Sequence, residues 1–152
     1  MSPKPRVFLD TSTLFAGIWS AEGGARMLLR LGEAEALQLL VSSQVLEEID
    51  EVMRRKATQH LASLVVLIDR SQAIVVPSAS AGVLAHCREL IPHPGNAHIL
   101  ADAWQNGTDF LATLDKMHFL NLPDLSRQIP FPIGTPGDCL AWYRRLLLDR
   151  QS

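Results

Sequence analysis

The chain has 152 residues, 47% apolar and 20% charged, with 14 Lys+Arg against 16 Asp+Glu and a formal charge of −2. This is the composition of one globular domain over residues 1–152, long enough to bury about 68–70% of its unfolded surface without staples. The slightly acidic balance argues against a non-specific duplex binder, which needs a broad basic surface.

The opening segment, Met1-Ser-Pro-Lys-Pro-Arg6, is polar and proline-bearing, unlike a signal peptide. The longest strongly apolar run, Leu64 to Ile68, falls far short of the roughly 20 residues of a membrane span. Two cysteines, Cys87 and Cys139, form no disulfide framework and no Cys-x-x-Cys zinc pair, although one bridge between them is open. A reduced cytoplasmic protein with no membrane partner is the expectation.

Val7-Phe8-Leu9 reads as a strand buried on both faces, ending at Asp10. Thr11, Ser12 or Thr13 caps the next helical turn. Gly23-Gly24 opens an amphipathic helix with Met27, Leu28 and Leu31 at helical spacing. Leu37 to Val41 is a second strand. Ser42 or Ser43 then caps a helix to about Lys56, and residues 58–70 form another helical stretch. Ala73 to Val76, stopped by Pro77, is a third strand. Residues 79–90 are helical, broken by Ile91-Pro-His-Pro-Gly95. Asn96 to Asn106 is a helix with Gly107 as its C′ residue. Asp109 to Ala112 is a fourth strand. A link carrying Pro123, Pro130, Pro132 and Pro136 leads to a last helix, about 137–149, with a short edge strand placed inside it.

Strands alternating with helices imply right-handed crossovers and a four- to five-stranded parallel sheet in a three-layer α/β/α domain. Ligands in such sheets bind beyond the carboxyl ends of the strands. Two strands lead into aspartates there, Asp10 and Asp115. Around the helix of residues 44–55, Val45, Leu46, Ile49, Val52 and Met53 define the buried face. Glu48 sits on its edge, Glu47 and Glu51 point to solvent, and Asp50 takes the other edge. A carboxylate at such an edge can lean over the sheet end. Around residues 96–106, Ile99, Leu100, Ala103 and Trp104 define the buried face, and Asn96 shares that side. His98 and Asp102 project the opposite way and pair on the surface. Asn96 after Pro-Gly is also a favoured N-cap. His93, in the preceding loop, is placed to approach the site but as a lone loop histidine reads as solvated. Arg54-Arg55-Lys56 and Arg144-Arg145 read as solvated helix ends.

These residues resemble a family. Phe8-Leu-Asp-Thr-Ser12 looks like the first strand and acid of PIN-domain ribonucleases. Ser42-Ser-Gln-Val-Leu-Glu-Glu-Ile49 is similar to their second motif, whose acid maps to Glu48. Asn96-Ala-His-Ile-Leu-Ala-Asp-Ala103 and Asp109-Phe-Leu-Ala-Thr-Leu-Asp115 resemble the third and fourth, and Gly134-Thr-Pro-Gly-Asp-Cys-Leu140 the last strand-to-helix turn. The motifs are short, so their order and spacing carry the specificity. The style is that of PIN toxins of bacterial toxin–antitoxin pairs.

The resemblance implies an endoribonuclease using Mg²⁺ or Mn²⁺. Carried over by position, Asp10, Glu48 and Asp115 are the metal-site acids, and Ser12 and Thr113 are polar neighbours that orient ligands or water. It further implies an RNA substrate, a small antitoxin partner and a homodimer. The chain departs at the third acid, where Asn96 stands for the family's Asp. An amide oxygen can coordinate a cation or cap a helix, but it brings no charge and no base. One negative charge fewer weakens divalent binding, so the alternative is a degenerate PIN fold that binds RNA or protein without chemistry. Two other enzyme classes fit poorly. A haloacid-dehalogenase-type phosphatase needs a second Asp two residues after the first, where this chain has Ser12. No Gly-x-x-x-x-Gly-Lys-Ser/Thr phosphate loop is present.

Overall fold

The computed structural model describes residues 3–122 and 124–151. Its first strand, β1 (Arg6–Leu9), runs into α1 (Thr11–Trp19) and α2 (Gly24–Glu33). Then follow β2 (Gln38–Ser42), α3 (Ser43–Lys56), α4 (Leu61–Ser71), β3 (Ile74–Val76), α5 (Ala81–Leu90), α6 (Pro94–Gln105) and β4 (Phe110–Ala112). The chain ends with α7 (Leu125–Gln128), β5 (Ile133–Gly134) and α8 (Pro136–Arg150). All pairings are parallel, in the order β3-β2-β1-β4-β5. Helices α1, α2 and α4 pack together and α2 also meets α8, while α5 and α6 form a separate pair. This is the expected three-layer α/β/α arrangement. Among the described residues no helix is long and apolar enough to cross a membrane.

The central strands are apolar on both faces because helices cover both. Val7, Phe8, Leu39, Leu40, Val41 and Leu111 have no exposed surface. Each such side chain contributes about 1.5–3 kcal/mol by leaving water. β3 differs: Ile74 and Val75 are about half exposed at the sheet edge, and only Val76 is buried.

The elements differ from the sequence-based expectations in particular places. The stretch from residue 58 is divided into a 3-10 turn, Thr58–His60, and α4. The edge strand expected inside the last helix precedes it instead, as β5. Thr135 then caps α8 in a capping box with Asp138, and Pro136 occupies the first turn, where its missing N–H costs nothing. The proline-rich link holds a π-helical turn, Lys116–Leu120, and the short α7; Pro123 lies outside the described residues. Asn96 is not the cap of α6. The helix starts at Pro94, and the His93 ring nitrogen accepts from Asn96 N. Gly107 follows the helix with φ +70°, as a C′ glycine should.

Asp102 does not project to solvent. It is 1% exposed. Its carboxylate accepts from Ala79 N at 2.7 Å and contacts His98 Nδ1 at 3.1 Å. The reason is that α6 lies between the sheet and α5, so nearly all its faces are covered, whereas helical periodicity by itself implies one solvated side. Trp104 is only half-buried, edge-on to His86 of α5. Cys87 and Cys139 are both free and buried.

Candidate active site

Strand order places the site. From β1 the chain crosses to β2 and β3 on one side, then returns to β4 on the other, so the switch point lies between β1 and β4. Leu9 is in register with Ala112, which brings Asp10 beside Thr113 just past the strand ends.

Asp10 caps α1. Its Oδ1 accepts from Thr13 N at 2.9 Å and from Ser12 Oγ at 2.7 Å. Its Oδ2 accepts from the Thr113 hydroxyl. Burial pushes the Asp10 carboxyl above its usual range, and the hydrogen bonds from Thr113, Thr13 and Ser12 only partly offset this. Ser12 and Thr113 act as a bracket. Ser12 Oγ accepts from Leu114 N at 3.0 Å, and Thr113 Oγ1 accepts from Asp115 N at 3.0 Å. The two hydroxyls thus tie Asp10 to the turn that carries Asp115.

Glu48 reaches in from α3, which starts directly from β2 because Ser42 ends the strand and caps the helix. Its two oxygens accept from Thr11 Oγ1 at 2.6 Å and from Gln44 Nε2 at 2.9 Å. Gln44 also donates to Gly95 O at 3.2 Å, linking α3 to the start of α6. Glu47 and Glu51 face solvent as expected.

Asn96 comes from the first turn of α6 and is nearly buried. Its Nδ2 donates to Asp115 Oδ2 at 2.9 Å. Asp115 Oδ1 accepts from His118 N at 3.0 Å, and Oδ2 also lies 3.0 Å from His118 Nδ1. Burial works to raise the Asp115 carboxyl. The hydrogen bonds from His118 and Asn96, with the charge of His118, outweigh it and hold the group below its usual range.

Asp10, Glu48, Asn96 and Asp115 all line one cleft of about 370 Å³, with Phe15, Val52, Ile99 and Lys56. The four expected metal-site residues therefore line one cleft together with Ser12, while Thr113 is tied to it through its hydrogen bond to Asp10. His118 is a neighbour that sequence reasoning missed. It follows Asp115 by three residues in a turn with no helical periodicity to rank it. His93 is exposed, as a solvated loop residue should be, and it also approaches the site, its ring 4.4 Å from that of His118.

The donor set is all oxygen: three carboxylates and an amide, the chemistry of a hard divalent cation. The Asn96 Oδ1 accepts no hydrogen bond among the described residues, and each of the three carboxylates keeps at least one oxygen with a lone pair to spare: Asp10 Oδ2, Asp115 Oδ1 and both Glu48 oxygens each have a single donor. No group of three His, Cys, Asp or Glu side chains is drawn together as a finished metal cluster among the described residues. The residues fit a cation in kind and surround the cleft instead of converging on one point.

The family model described as "PIN domain" matches residues 6–117. Solved structures share the fold at low identity. One is a chain of DNA-bound VapBC from Salmonella typhimurium, with TM-score 0.65 and 18% identity, covering 87% of this chain and 98% of that one. Another is VapBC2 from Rickettsia felis bound to a promoter fragment, with TM-score 0.61 and 19% identity, covering 85% and 98%. A third is VapC20 of Mycobacterium tuberculosis, described as a sarcin-ricin loop cleaving toxin, with TM-score 0.50 and 19% identity, covering 73% and 91%. None of the curated proteins matches. The family match spans β1 to the Asp115 turn and includes Asp10, Glu48, Asn96 and Asp115: the chain belongs to the PIN domain family.

Proposed function

We propose that this chain is a divalent-metal-dependent endoribonuclease, the toxin of a toxin–antitoxin pair. The observation that carries the reading is the meeting of Asp10, Glu48, Asn96 and Asp115 in one cleft at the switch point of the sheet. Family membership and the VapBC-like fold support it.

Asp10, Glu48 and Asp115 would hold Mg²⁺ or Mn²⁺, with the free amide oxygen of Asn96 as a neutral ligand. When bound, such a cation lowers the pKa of water and offsets charge on a phosphate. The protein's own part is positioning. Thr11 and Gln44 fix the Glu48 carboxylate, Ser12 and Thr113 fix Asp10, and Asn96 and His118 fix Asp115. The buried Asp10 carboxylate has no cationic partner among the described residues, so a bound cation relieves its desolvation cost. The partners under this reading are RNA, a small antitoxin protein and a second copy of the chain.

The test is cleavage of a mixed RNA substrate with Mn²⁺ or Mg²⁺, beside Asp10→Ala. Cleavage that requires both metal and Asp10 supports the reading. Cleavage that survives the substitution overturns the site.

One observation favours a second reading, a degenerate fold that binds without chemistry. Asn96 neutralises a position beside Asp115 and donates to it, where a carboxylate would repel it. Calorimetry with Mn²⁺ separates the two: a dead site gives no heat that depends on Asp10.

A further inference from the structure

A line of aromatic rings leads out of the acidic cleft. Phe15 forms part of the cleft wall. One helical turn on, Trp19 stacks against it, with centroids 5.8 Å apart and planes 13° from parallel. Trp19 then meets the His60 ring at 5.1 Å. Beyond these two rings lies a second cavity of about 480 Å³, floored by Ile18, Val66 and Leu67 and also reached by Arg26. Trp19 is 53% exposed, an unusual position for the largest apolar side chain.

Beyond the acidic cleft the charge along this line is positive. No acid lines the second cavity. Lys56 borders the cleft and makes no ion pair among the described residues, unlike Arg54 and Arg55, which pair with Asp50 and Glu51. Arg26 is anchored by the carbonyls of Gly17 and Ile18 at the end of α1, which leaves further guanidinium donors free.

We propose that Phe15, Trp19 and His60 form a stacking shelf for unpaired bases of single-stranded RNA, with Lys56 and Arg26 meeting the phosphates on either side. Trp19 is exposed and Phe15 and His60 are half-buried against it; an aromatic surface flanked by cations suits a flexible single strand, since every base has a face to stack and every linkage a charge to neutralise. The shelf is continuous with the cleft through Phe15, so bases bound on it lie next to the phosphate offered to Asp10. A duplex, whose bases are already stacked, gains nothing from it. This inference rests on the ribonuclease reading for its RNA but can be tested apart from it.

The experiment uses full-length Asp10→Ala protein without divalent metal, so that no cleavage occurs. Its probe is a fluorescein-labelled oligoadenylate of about 12 nucleotides, the length range of single-strand sites, read by anisotropy. In this background Trp19→Ala is expected to weaken binding about 5- to 100-fold, while Trp19→Phe retains most of it. Lys56→Ala is expected to lower the salt slope by about 0.7. A matched duplex should bind equally well with and without the Trp19→Ala substitution. His60→Ala provides a second, independent loss. Because Trp19 is exposed, a thermal melt confirms that the variants fold. Single-strand binding indifferent to both Trp19 and His60 overturns the shelf. So does finding that Trp19→Ala abolishes only the binding of a protein partner, which would make this a protein-docking groove. A shelf that binds RNA in a protein that never cleaves would overturn the nuclease reading and leave the shelf standing.

Discussion

Asn96 and Asp115 are joined side chain to side chain, Nδ2 to Oδ2 at 2.9 Å, across the mouth of the cleft. The amide turns what would be a pair of like charges into a donor and an acceptor. Asn96→Asp should reverse this. Two carboxylates at hydrogen-bond distance repel, and a cation relieves the repulsion. Without metal the variant is expected to melt lower, by roughly 1–2 kcal/mol for the lost charged hydrogen bond. With Mn²⁺ it should bind about tenfold more tightly than the parent. Melts in chelator and a calorimetric titration read the two effects. If neither the metal-free stability nor the Mn²⁺ affinity moves, Asn96 does not limit the site.

Asp10 is held at a cost in the metal-free protein. Its folded-state carboxyl lies above the unfolded value of about 3.9 because it is buried. The stability linked to this group is therefore complete below that value and lost as pH rises through the folded-state pKa. Asp10→Asn keeps the shape and an acceptor oxygen, and it removes the charge. In chelator at neutral pH the variant should melt above the parent, with the gap closing at about pH 4. Divalent cation should stabilise the parent alone. A gap that does not depend on pH would assign the effect to packing instead of charge.

Much of this was legible in the sequence because one kind of signal repeats. Strands buried on both faces read as short apolar runs, and each end marks a place on the same sheet edge, so Asp10 and Asp115 could be placed from pattern alone. Glu48 followed from helical angle, since α3 has one covered face. The same rule failed for Asp102 because α6 is covered by α5 as well, and periodicity cannot see a second covering layer. His118 was invisible, and His93 could be placed only as a loop residue able to approach the site, for another reason. Their positions depend on turn geometry after β4 and before α6, where no repeat exists to reason from.

The buried thiols set an alkaline limit. Burial raises Cys139 to about 12, and burial with the nearby Asp102 charge raises Cys87 to about 11. Both stay protonated in the fold after an unfolded thiol, with a pKa of about 8.5, has ionised. Stability linked to them is present below that value and falls as pH rises through about 11 and 12. A thiol reagent at mildly alkaline pH should label neither cysteine in the native protein and both in denaturant. Rapid native labelling of either would show a more open structure.

Gly32 marks where α2 meets the sheet and α4. A Cβ there would stand 2.5 Å from Ser71 O and 2.6 Å from Leu39 Cδ1. The first contact is backbone and cannot swing aside. Gly32→Ala gains helix propensity of up to about 1 kcal/mol, so the sign of the change decides which effect wins. Overpacking commonly costs about 1–3 kcal/mol, and a contact this short belongs at the upper end. Net destabilisation of roughly 1–2 kcal/mol in denaturant melts is expected. A neutral or stabilised variant would show that α2 can slide against α4.

His118 serves Asp115 through a backbone N–H and a ring nitrogen, and only the second can be removed by substitution. Asp115 is held below its usual range by these bonds, by Asn96 and by the His118 charge, against the opposite pull of burial. A depressed folded-state pKa gives stability that is present above the unfolded value of about 3.9 and lost as pH falls through the folded one. His118→Ala removes a ring bond and a coulombic attraction while burial stays, so the Asp115 carboxyl should rise. Carboxyl titration by NMR should show this directly, and the acid limb of the melting curve should begin at higher pH. The ring's polar contact is with Asp115 and its ring contact, tilted by 42°, is with His93, so the midpoint of Asp10 should not follow. If Asp10 moves and Asp115 stays, the ring acts through the whole cleft and the local account of Asp115 fails.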